Sequence, residues 1–254
     1  MFLVCAVRAN RVIFSATSAT EQATVSGISS GRRMSRSERR KNIIDHAVAY
    51  FADCGFYADT RALAERIGVT QAILYKHFPS KDAMIAAVFE RLTEQQDVSA
   101  WEGTIRNGGE ALLVRLSRFF HEYASTTYTY QWIRIHMHAS LYGGQFNRQF
   151  IKNVTGPILR LIAEEIRREM KFPADMIGDT SVMEIEILWI FHYGLYYHPF
   201  RQHVYGLQQS VDFSELIREA LPGTLFAVES HLREKYPEVP VKRLELKKLQ
   251  ASVA

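Results

Sequence analysis

Cysteine is almost absent from this chain, and its scarcity excludes two classes of protein. The 254 residues contain only Cys5 and Cys54. Two isolated cysteines cannot form the multi-bridge framework of a small secreted domain, and they lack the paired ligand spacing of a zinc module. We therefore expect a cytoplasmic protein, because thiols stay reduced in that compartment.

Long apolar runs are also missing. In the second half the longest run, Ile187–Phe191, is far too short to cross a bilayer. Near the N-terminus Phe2–Val7 is apolar, but Arg8 stops it and no basic region precedes it, so it makes a poor secretory signal. The sequence predicts no membrane partner.

Patterns that carry catalysis are absent as well. There is no nucleophile elbow, phosphate-binding loop or HExxH motif in the sequence. His136 and His138 are two residues apart, so on a helix their side chains point in different directions, and no Cys or Glu at i+4 completes a metal site. We expect no enzyme activity, no cofactor and no metal.

The most informative stretch is Asp59–Lys81, which reads DTRALAERIGVTQAILYKHFPSK. Leu63, Ala64 and Ile67 form one narrow apolar face of a short helix. Gly68 then occupies the position where a helix end favours a left-handed residue, and Thr70 can cap the next helix with its hydroxyl. Two short helices joined in this way predict a helix-turn-helix, a DNA-binding motif.

The second of these helices presents polar side chains suited to a DNA major groove. Gln71 can pair with an adenine edge, and Ala72 can meet a thymine methyl group. Arg61 can reach the backbone or a base edge, while Thr70 either donates to a phosphate or serves only as a helix cap. Lys81 lies beside a helix N-terminus, where amides and the helix dipole favour a phosphate.

A basic cluster precedes this motif. The formal charge of the chain is only +4, so the position of the excess matters more than its size. Either the cluster is a solvated helix start or it faces phosphates, and the neighbouring helix-turn-helix favours the second interpretation. Its members are Arg32, Arg33, Arg36, Arg39, Arg40 and Lys41, with Glu38 as the only acid.

Helical periodicity continues through the chain and predicts an all-α fold. A first helix begins with a capping-box pattern at Ser35 and Glu38 and ends at Gly55, and a fourth runs from Lys81 to near Gln96. Further helical patterns cover 110–125, 130–141, 146–170, 181–197 and 213–236. Breaks are expected at Gly108-Gly109, Gly143-Gly144, Pro173, Pro199 and Gly206, and Pro157 and Pro222 should kink or restart their helices.

Four segments follow from this pattern. Residues 1–34 are expected to be a disordered extension, either a transit peptide or residues upstream of a natural start at Met34. Residues 35–96 form the three-helix helix-turn-helix domain with its fourth, connecting helix. Residues 97–238 form a larger helical domain for ligand binding and dimerisation. Residues 239–254 form a basic tail that is either a short helix or disordered.

Residues 39–92 resemble the tetracycline-repressor (TetR) family of bacterial transcription regulators. The resemblance implies that Tyr75, His77 and Lys81 touch phosphates, that the chain forms a homodimer through its last two long helices, and that a ligand releases repression. It rests on Ile43, Ala47, Phe51 and Gly55, on Leu63-Ala64 with Gly68-Val69, and most strongly on Leu74-Tyr75-x-His77-Phe78-x-Ser80-Lys81.

A second concentration of side chains lies in the aromatic stretch 186–205. An aromatic stripe at helical spacing is usually core, but this one carries polar groups that a plain core does not need. It either lines an amphipathic effector cavity or forms the dimer interface, and the sequence does not separate the two. The candidate effector residues are Trp132, His136, Phe146, Trp189, His192, Tyr193 and Tyr196.

The sequence thus predicts a dimeric regulator that binds a palindromic operator in double-stranded DNA, because dimer and operator symmetry must match. The expected effector is a small, largely apolar molecule. Two alternatives stay open: a DNA-binding regulator without an effector, and a small-molecule enzyme or carrier with a DNA-binding head.

Overall fold

The computed structural model describes residues 34–246, and this part of the chain is built from α-helices, two short helical turns of other types and loops. The all-α fold class is confirmed. The helices are α1 (Arg36–Cys54), α2 (Thr60–Ile67), α3 (Gln71–His77), α4 (Lys81–Thr93), α5 (Val98–Arg106), α6 (Leu112–Thr127), α7 (Tyr130–Leu141), α8 (Gln145–Phe150), α9 (Gly156–Glu169), α10 (Val182–His203) and α11 (Phe213–Lys235).

Two parts of the chain lie outside the described residues, namely 1–33 and 247–254. The expected disorder of the N-terminal extension falls there, together with Arg32 and Arg33. Within the described range no helix is long and apolar enough to span a membrane. Nor does that range bring together three His, Cys, Asp or Glu side chains that could hold a metal ion.

The helices of the N-terminal third begin and end close to the expected residues, whereas α5 was not predicted. This helix is nine residues long and buries only Trp101 and Ile105. Its start is set by Asp97, whose carboxylate accepts the Ala100 amide at 2.9 Å. Gly103 lies within it, and two buried positions are too few to establish a helical period.

Pro199 does not break α10, so the predicted helix end there is wrong. The helix continues from Val182 to His203 with Pro199 inside it and buried. A proline removes one backbone hydrogen bond, at a typical cost of about 3 kcal/mol. The next residue, Phe200, packs its ring against Tyr197 and Tyr205, at centroid distances of 6.0 and 5.3 Å. This packing accounts for the helix continuing past the proline.

At Pro157 the helix does restart, as expected, through a π-helical turn at Ile151–Thr155 between α8 and α9. The amide of Gly156 donates to the Ile151 carbonyl, five residues earlier. Pro157 has no amide to give to the carbonyl four residues earlier, and its ring would collide with that carbonyl in a regular helix. The wider π turn removes the collision.

The C-terminal tail is neither a helix nor disordered as far as Leu246, which corrects both expectations for that range. It is a segment without regular secondary structure that packs on the core of the second part of the chain. The Lys242 amide donates to the Met170 carbonyl at 2.8 Å, and the Leu244 amide donates to the Glu229 carboxylate at 3.2 Å. Leu244 is buried, so this segment completes the core over α9 and α11.

Buried apolar side chains form two clusters. One joins α1–α4 and includes Phe51, Leu63, Leu74 and Val88, and the other joins α5–α11. The first cluster also contains Ile135 and Ala139 of α7, so a helix of the second part of the chain completes the core of the first. The domain boundary at 96/97 therefore stays a prediction.

One buried ion pair ties α9 to α10. Arg167 donates to both carboxylate oxygens of Glu184, at 2.8 and 2.6 Å, and both side chains are fully buried. Burial opposes the charged form of Glu184, but hydrogen bonds from Arg167 and Ser181 outweigh it and hold the pKa of Glu184 below its ordinary value. Ser181 and Glu184 also form the capping box that starts α10.

Helix α7 seals the C-terminal end of α1. Arg134 donates to the carbonyls of Ala52 and Asp53, at 2.7 and 3.2 Å, which are among the last carbonyls of α1 and lack intrahelical partners. Just beyond, Gly55 adopts a φ of +76° and leaves room for His138 of α7. A Cβ atom at Gly55 would lie 2.8 Å from the His138 ring, so both the backbone and the packing require glycine.

We predict that Gly55→Ala lowers the free energy of unfolding by about 1–3 kcal/mol, because it adds strain at positive φ and a collision with His138. Urea unfolding followed by circular dichroism measures the change. The matched control is Gly103→Ala, where an added Cβ meets nothing within 4 Å and a helix interior gains propensity. Equal stabilities for the two variants would contradict the role given to Gly55.

Candidate nucleic-acid interface

The helix-turn-helix is built by α2, α3 and the turn between them. Asp59 caps α2 by accepting the Arg61 amide at 2.9 Å. Gly68 ends α2 in the left-handed region with φ 75°, and the Val69 amide then returns to the Ala64 carbonyl at 3.0 Å. This is the hydrogen-bond pattern that a glycine at this position permits, and it turns the chain sharply into α3.

Thr70 caps α3, since its hydroxyl accepts the Ile73 amide at 3.4 Å. Leu74 is buried against the first cluster, and Phe78 is buried just past the helix end. Ile73, beside Leu74, is half-buried. The opposite side of α3 is exposed to solvent at Gln71, Ala72, Tyr75 and Lys76.

Thr60 holds two of these exposed side chains in place. Its Oγ1 accepts a hydrogen bond from Gln71 Nε2 at 3.0 Å and lies 3.1 Å from the Tyr75 hydroxyl. The Thr60 side chain itself is 5% exposed, so the anchor is fixed by the core. Gln71 keeps its second N–H and its Oε1, the pair that an adenine edge requires.

Thr60 is the first residue of α2, and no role was predicted for it from the sequence. Sequence spacing does not reveal this contact, because Thr60 is 11 residues from Gln71 and 15 from Tyr75. The only sequence signal for this contact is a Thr at the start of α2 followed by a Gln at the start of α3. Its meaning depends on how the two helices cross.

The basic start of α1 lies beside the end of α3. Burial and then the positive charges of Arg36, Lys76, Arg39 and Arg40 lower the pKa of His77. The guanidinium of Arg40 also lies 4.9 Å from the centre of the Phe78 ring, which places it over the end of α3. These cations form one positive surface with the exposed face of α3.

Lys81 has a structural partner in addition to its predicted role. Its ammonium donates to the Ala58 carbonyl at 2.7 Å, which ties the start of α4 to the loop before α2. An ammonium carries three N–H donors, so two remain for another ligand. Arg61 is exposed in the first turn of α2.

The candidate effector residues form two groups of packed rings. In the first group, the Trp132 ring stacks with that of His136 at 6.2 Å, and His136 contacts the rings of Phe146 and Tyr196 at 6.3 and 5.8 Å. In the second, Trp189 contacts His192 and Tyr193 at 5.6 and 5.3 Å.

Two tyrosines that were not predicted as candidates from the sequence connect these two groups of rings. Tyr123 contacts His192 at 5.5 Å, and Tyr128 contacts both Tyr123 and Tyr196, at 5.7 and 6.2 Å. Burial raises the pKa of both connecting tyrosines, and the buried hydroxyl of Tyr128 has no hydrogen-bond partner. Tyr123 lies on α6, and Tyr128 directly follows this helix. The apolar pattern of α6 did not indicate that these two hydroxyl groups would lie in the aromatic cluster.

The two imidazoles in this cluster are held neutral. Burial lowers the pKa of His136 to about 4. Burial, followed by the charge of His136, lowers the pKa of His192 to about 4 as well. Burial also raises the pKa of Tyr196 to about 12, so the cluster carries no formal charge near pH 7.

Tyr193 does not share the interior with the other candidates. It is exposed on the outer side of α10, in line with Ile190 and Tyr197. His192 and Tyr196 face inward on the same helix. On the neighbouring helix α11, Phe226 is 60% exposed, so the two helices together present an outward apolar surface.

The helix-turn-helix segment is similar to those of known regulatory proteins. Residues 43–88 match the model of the bacterial regulatory proteins, tetR family. Over 72 residues the chain is 36% identical to the HTH-type transcriptional activator FasR of Mycolicibacterium smegmatis, covering 28% of this chain and 33% of FasR. Over 71 residues it is 38% identical to the HTH-type transcriptional repressor KstR of the same organism, covering 26% of this chain and 35% of KstR.

The chain spans about a third of the length of these two relatives. A longer match comes from a solved structure of a TetR family transcriptional regulator from Pseudomonas syringae pv. tomato. It covers 80% of this chain and 98% of that chain, with a TM-score of 0.53 and 17% sequence identity, and it therefore supports the fold alone. The helix-turn-helix segment, residues 43–88, is thus that of the bacterial regulatory proteins, tetR family.

Proposed function

We propose that the protein is a sequence-specific DNA-binding regulator of transcription whose α3 enters the major groove. The observation that carries this proposal is the exposed face of α3. There Thr60 anchors Gln71 and Tyr75, and the cations at the start of α1 flank the helix. A helix so braced presents base-reading groups in fixed positions and phosphate-binding groups around them.

The proposed contacts divide by chemistry. Gln71 and Ala72 face base edges, and Arg61 reaches either a base edge or the backbone. Tyr75, His77 and Lys81 meet phosphates, as does Thr70 if its hydroxyl is not fully used as a cap. Phosphate contacts fix the position of the protein on DNA, and base contacts select the sequence.

A homodimer through α10 and α11 fits the outward apolar surface of these helices. Ile190 is 73% and Phe226 is 60% exposed in the single chain, a costly arrangement if nothing covers them. A two-fold dimer would place two α3 helices on the half-sites of a palindromic operator. The proposed division gives the outer side of α10 to the dimer and its inner side to the aromatic cluster.

An effector is the remaining part of the proposal. The cluster of Trp132, His136, Phe146, Trp189, His192 and Tyr196 is apolar and uncharged, with a few polar groups that include the unpartnered Tyr128 hydroxyl. A small, largely apolar molecule with one or two hydrogen-bonding groups matches this composition. Its binding would release the operator by favouring a state with a different spacing of the two α3 helices.

The first prediction concerns base reading. Gln71→Ala should relax the preference at one or two base pairs and weaken binding to the selected site by about 1–3 kcal/mol. Thr60→Val removes the anchor but not Gln71, so it should relax the same base pairs at a smaller cost of about 1 kcal/mol.

Selection of bound fragments from random DNA, followed by titration of the selected site, measures both effects. Glu65→Gln, an exposed change on α2, serves as the control and should leave the selected sequence unchanged. If Gln71→Ala selects the wild-type sequence with equal stringency, α3 does not read bases as proposed.

The second prediction concerns pH. Burial, followed by the neighbouring cations, lowers the pKa of His77 in the free protein, so its ring is mainly neutral at pH 7. A phosphate would stabilise the imidazolium, so binding takes up a proton and operator affinity should rise as the pH falls from 8 to 5.5. His77→Gln should flatten this dependence, whereas His46→Gln, on the exposed side of α1, should retain it. Titrations at several pH values, at fixed ionic strength, provide the measurement.

The third prediction concerns assembly. Ile190→Glu or Phe226→Glu would bury a charge in the proposed interface, and the dimer dissociation constant should rise by about 100-fold or more. Sedimentation equilibrium measures it. Leu141→Glu is the matched control, because Leu141 is 71% exposed and is the last residue of α7, outside the two helices of the proposed interface. Dimers of unchanged stability in both interface variants would place the interface elsewhere.

A further inference from the structure

A cleft of about 720 Å³ opens between α4 and the continuous segment formed by α8 and the π-helical turn. This volume falls within the range of small-molecule sites. Of the seven candidate effector residues it takes in Phe146 alone. It therefore adjoins the buried aromatic cluster and shares only Phe146 with it, and the sequence predicts no role for it.

Aromatic rings form much of the surface of this cleft. Phe89 of α4 stacks on Phe146 of α8 at 3.8 Å, and Phe56 contacts Phe89 and Tyr142 edge to face at 5.5 and 5.6 Å. Phe150 adds a fifth ring. Ring faces carry negative electrostatic potential, so a group of rings around a cleft attracts cations as well as apolar bodies.

The charges in the lining all have one sign. Asp82 and Glu90 of α4 are exposed there, and the lining contains no Lys, Arg or His. They are eight residues apart, which corresponds to about 12 Å along the helix. The Tyr142 hydroxyl donates to Asp82 at 3.1 Å and fixes that carboxylate at the edge of the cleft. In a chain with a net positive charge, an acid-only lining favours a positively charged ligand.

The wall opposite α4 contributes an independent observation. It includes Asn153 and Val154, which belong to the π-helical turn, together with Gln145 and Gln149 of α8. Single π-helical turns within α-helices are frequent at functional sites. The turn contributes one uncharged amide and one apolar side chain to the lining, and α8 adds two further amides, so this wall offers hydrogen bonds and apolar contact without adding charge.

We propose that this cleft binds an organic cation with an apolar, aromatic-sized body. The charged centre lies among the rings and the carboxylates of Asp82 and Glu90, and the apolar body packs on Phe89, Phe146 and Phe150. Binding at this site does not depend on the proposed function, and only a consequence for operator binding would rest on it. Helix α4 carries one wall of the cleft and also supplies Lys81 beside the DNA-facing surface.

Two ions of the same shape and opposite charge test the proposal. Tetraphenylphosphonium should bind the full chain in isothermal titration calorimetry in sodium buffer, and tetraphenylborate should not bind at the same concentration. The affinity should fall as the salt concentration rises. Equal binding of both ions would show an apolar site without charge selection and would overturn the proposal, as would binding of neither.

Variants locate the site and measure the role of each carboxylate. The double variant Asp82→Asn, Glu90→Gln should weaken tetraphenylphosphonium by about fivefold or more, while Glu65→Gln, with a carboxylate outside the cleft, should leave it within about twofold. Ala86 is exposed and lines the cleft, so Ala86→Trp should fill it and abolish binding. Ala100→Trp, an exposed change on α5, is the steric control.

Operator titration of the same preparations separates the two proposals. Loss of tetraphenylphosphonium binding in Ala86→Trp with unchanged DNA affinity supports the cleft and leaves the proposed function intact. Unchanged tetraphenylphosphonium binding in Ala86→Trp would place the cation elsewhere, for example in the buried aromatic cluster, and would overturn the assignment. A wild-type protein that binds the cation but selects no DNA would contradict only the proposed function.

Discussion

The contact between α1 and α7 is the one on which the rest of this structure depends. Arg134 satisfies the last carbonyls of α1, and His138 packs over Gly55, where no side chain fits. Ile135 and Ala139 then complete the apolar cluster beneath the helix-turn-helix. The reading helix α3 is thus supported by a core that includes a helix of the second part of the chain. A displacement of α7 would therefore shift the C-terminal end of α1, and the basic N-terminal start of the same helix lies beside α3.

Much of the helix-turn-helix could be predicted because its determinants are local. Gly68, Thr70 and the apolar positions Leu63 and Ala64 act within one or two helical turns, and each behaves as the sequence indicates. The role of Thr60 was hidden because it arises where two helices cross. The same reason explains Tyr123 and Tyr128, whose partners come from α10.

Helix ends in the second part of the chain show where local rules fail. At Pro157 the expected restart occurs, whereas α10 runs through Pro199. The lost hydrogen bond is the same in both cases, so the difference must come from the surroundings. Rings of Tyr197 and Tyr205 pack around Phe200 in α10, while Gly156 leaves space beside the Ile151 carbonyl, which an added Cβ atom would approach to 3.0 Å. Periodicity alone does not contain that information.

Charge separates the three surfaces that the proposals assign. The face around α3 is positive, the aromatic cluster around His136 and His192 is neutral, and the cleft beside Asp82 and Glu90 is negative. Asp82 is adjacent to Lys81 in the chain, so one turn of α4 carries a cation toward the loop before α2 and an anion toward the cleft. A cationic ligand in the cleft would interact with the Asp82 carboxylate, while Lys81 keeps its hydrogen bond to the Ala58 carbonyl. If both proposals are correct, this turn of α4 is the shortest physical connection between the ligand and DNA. The ligand would then affect DNA binding through the position of α4, because the charge of the DNA-facing surface does not change.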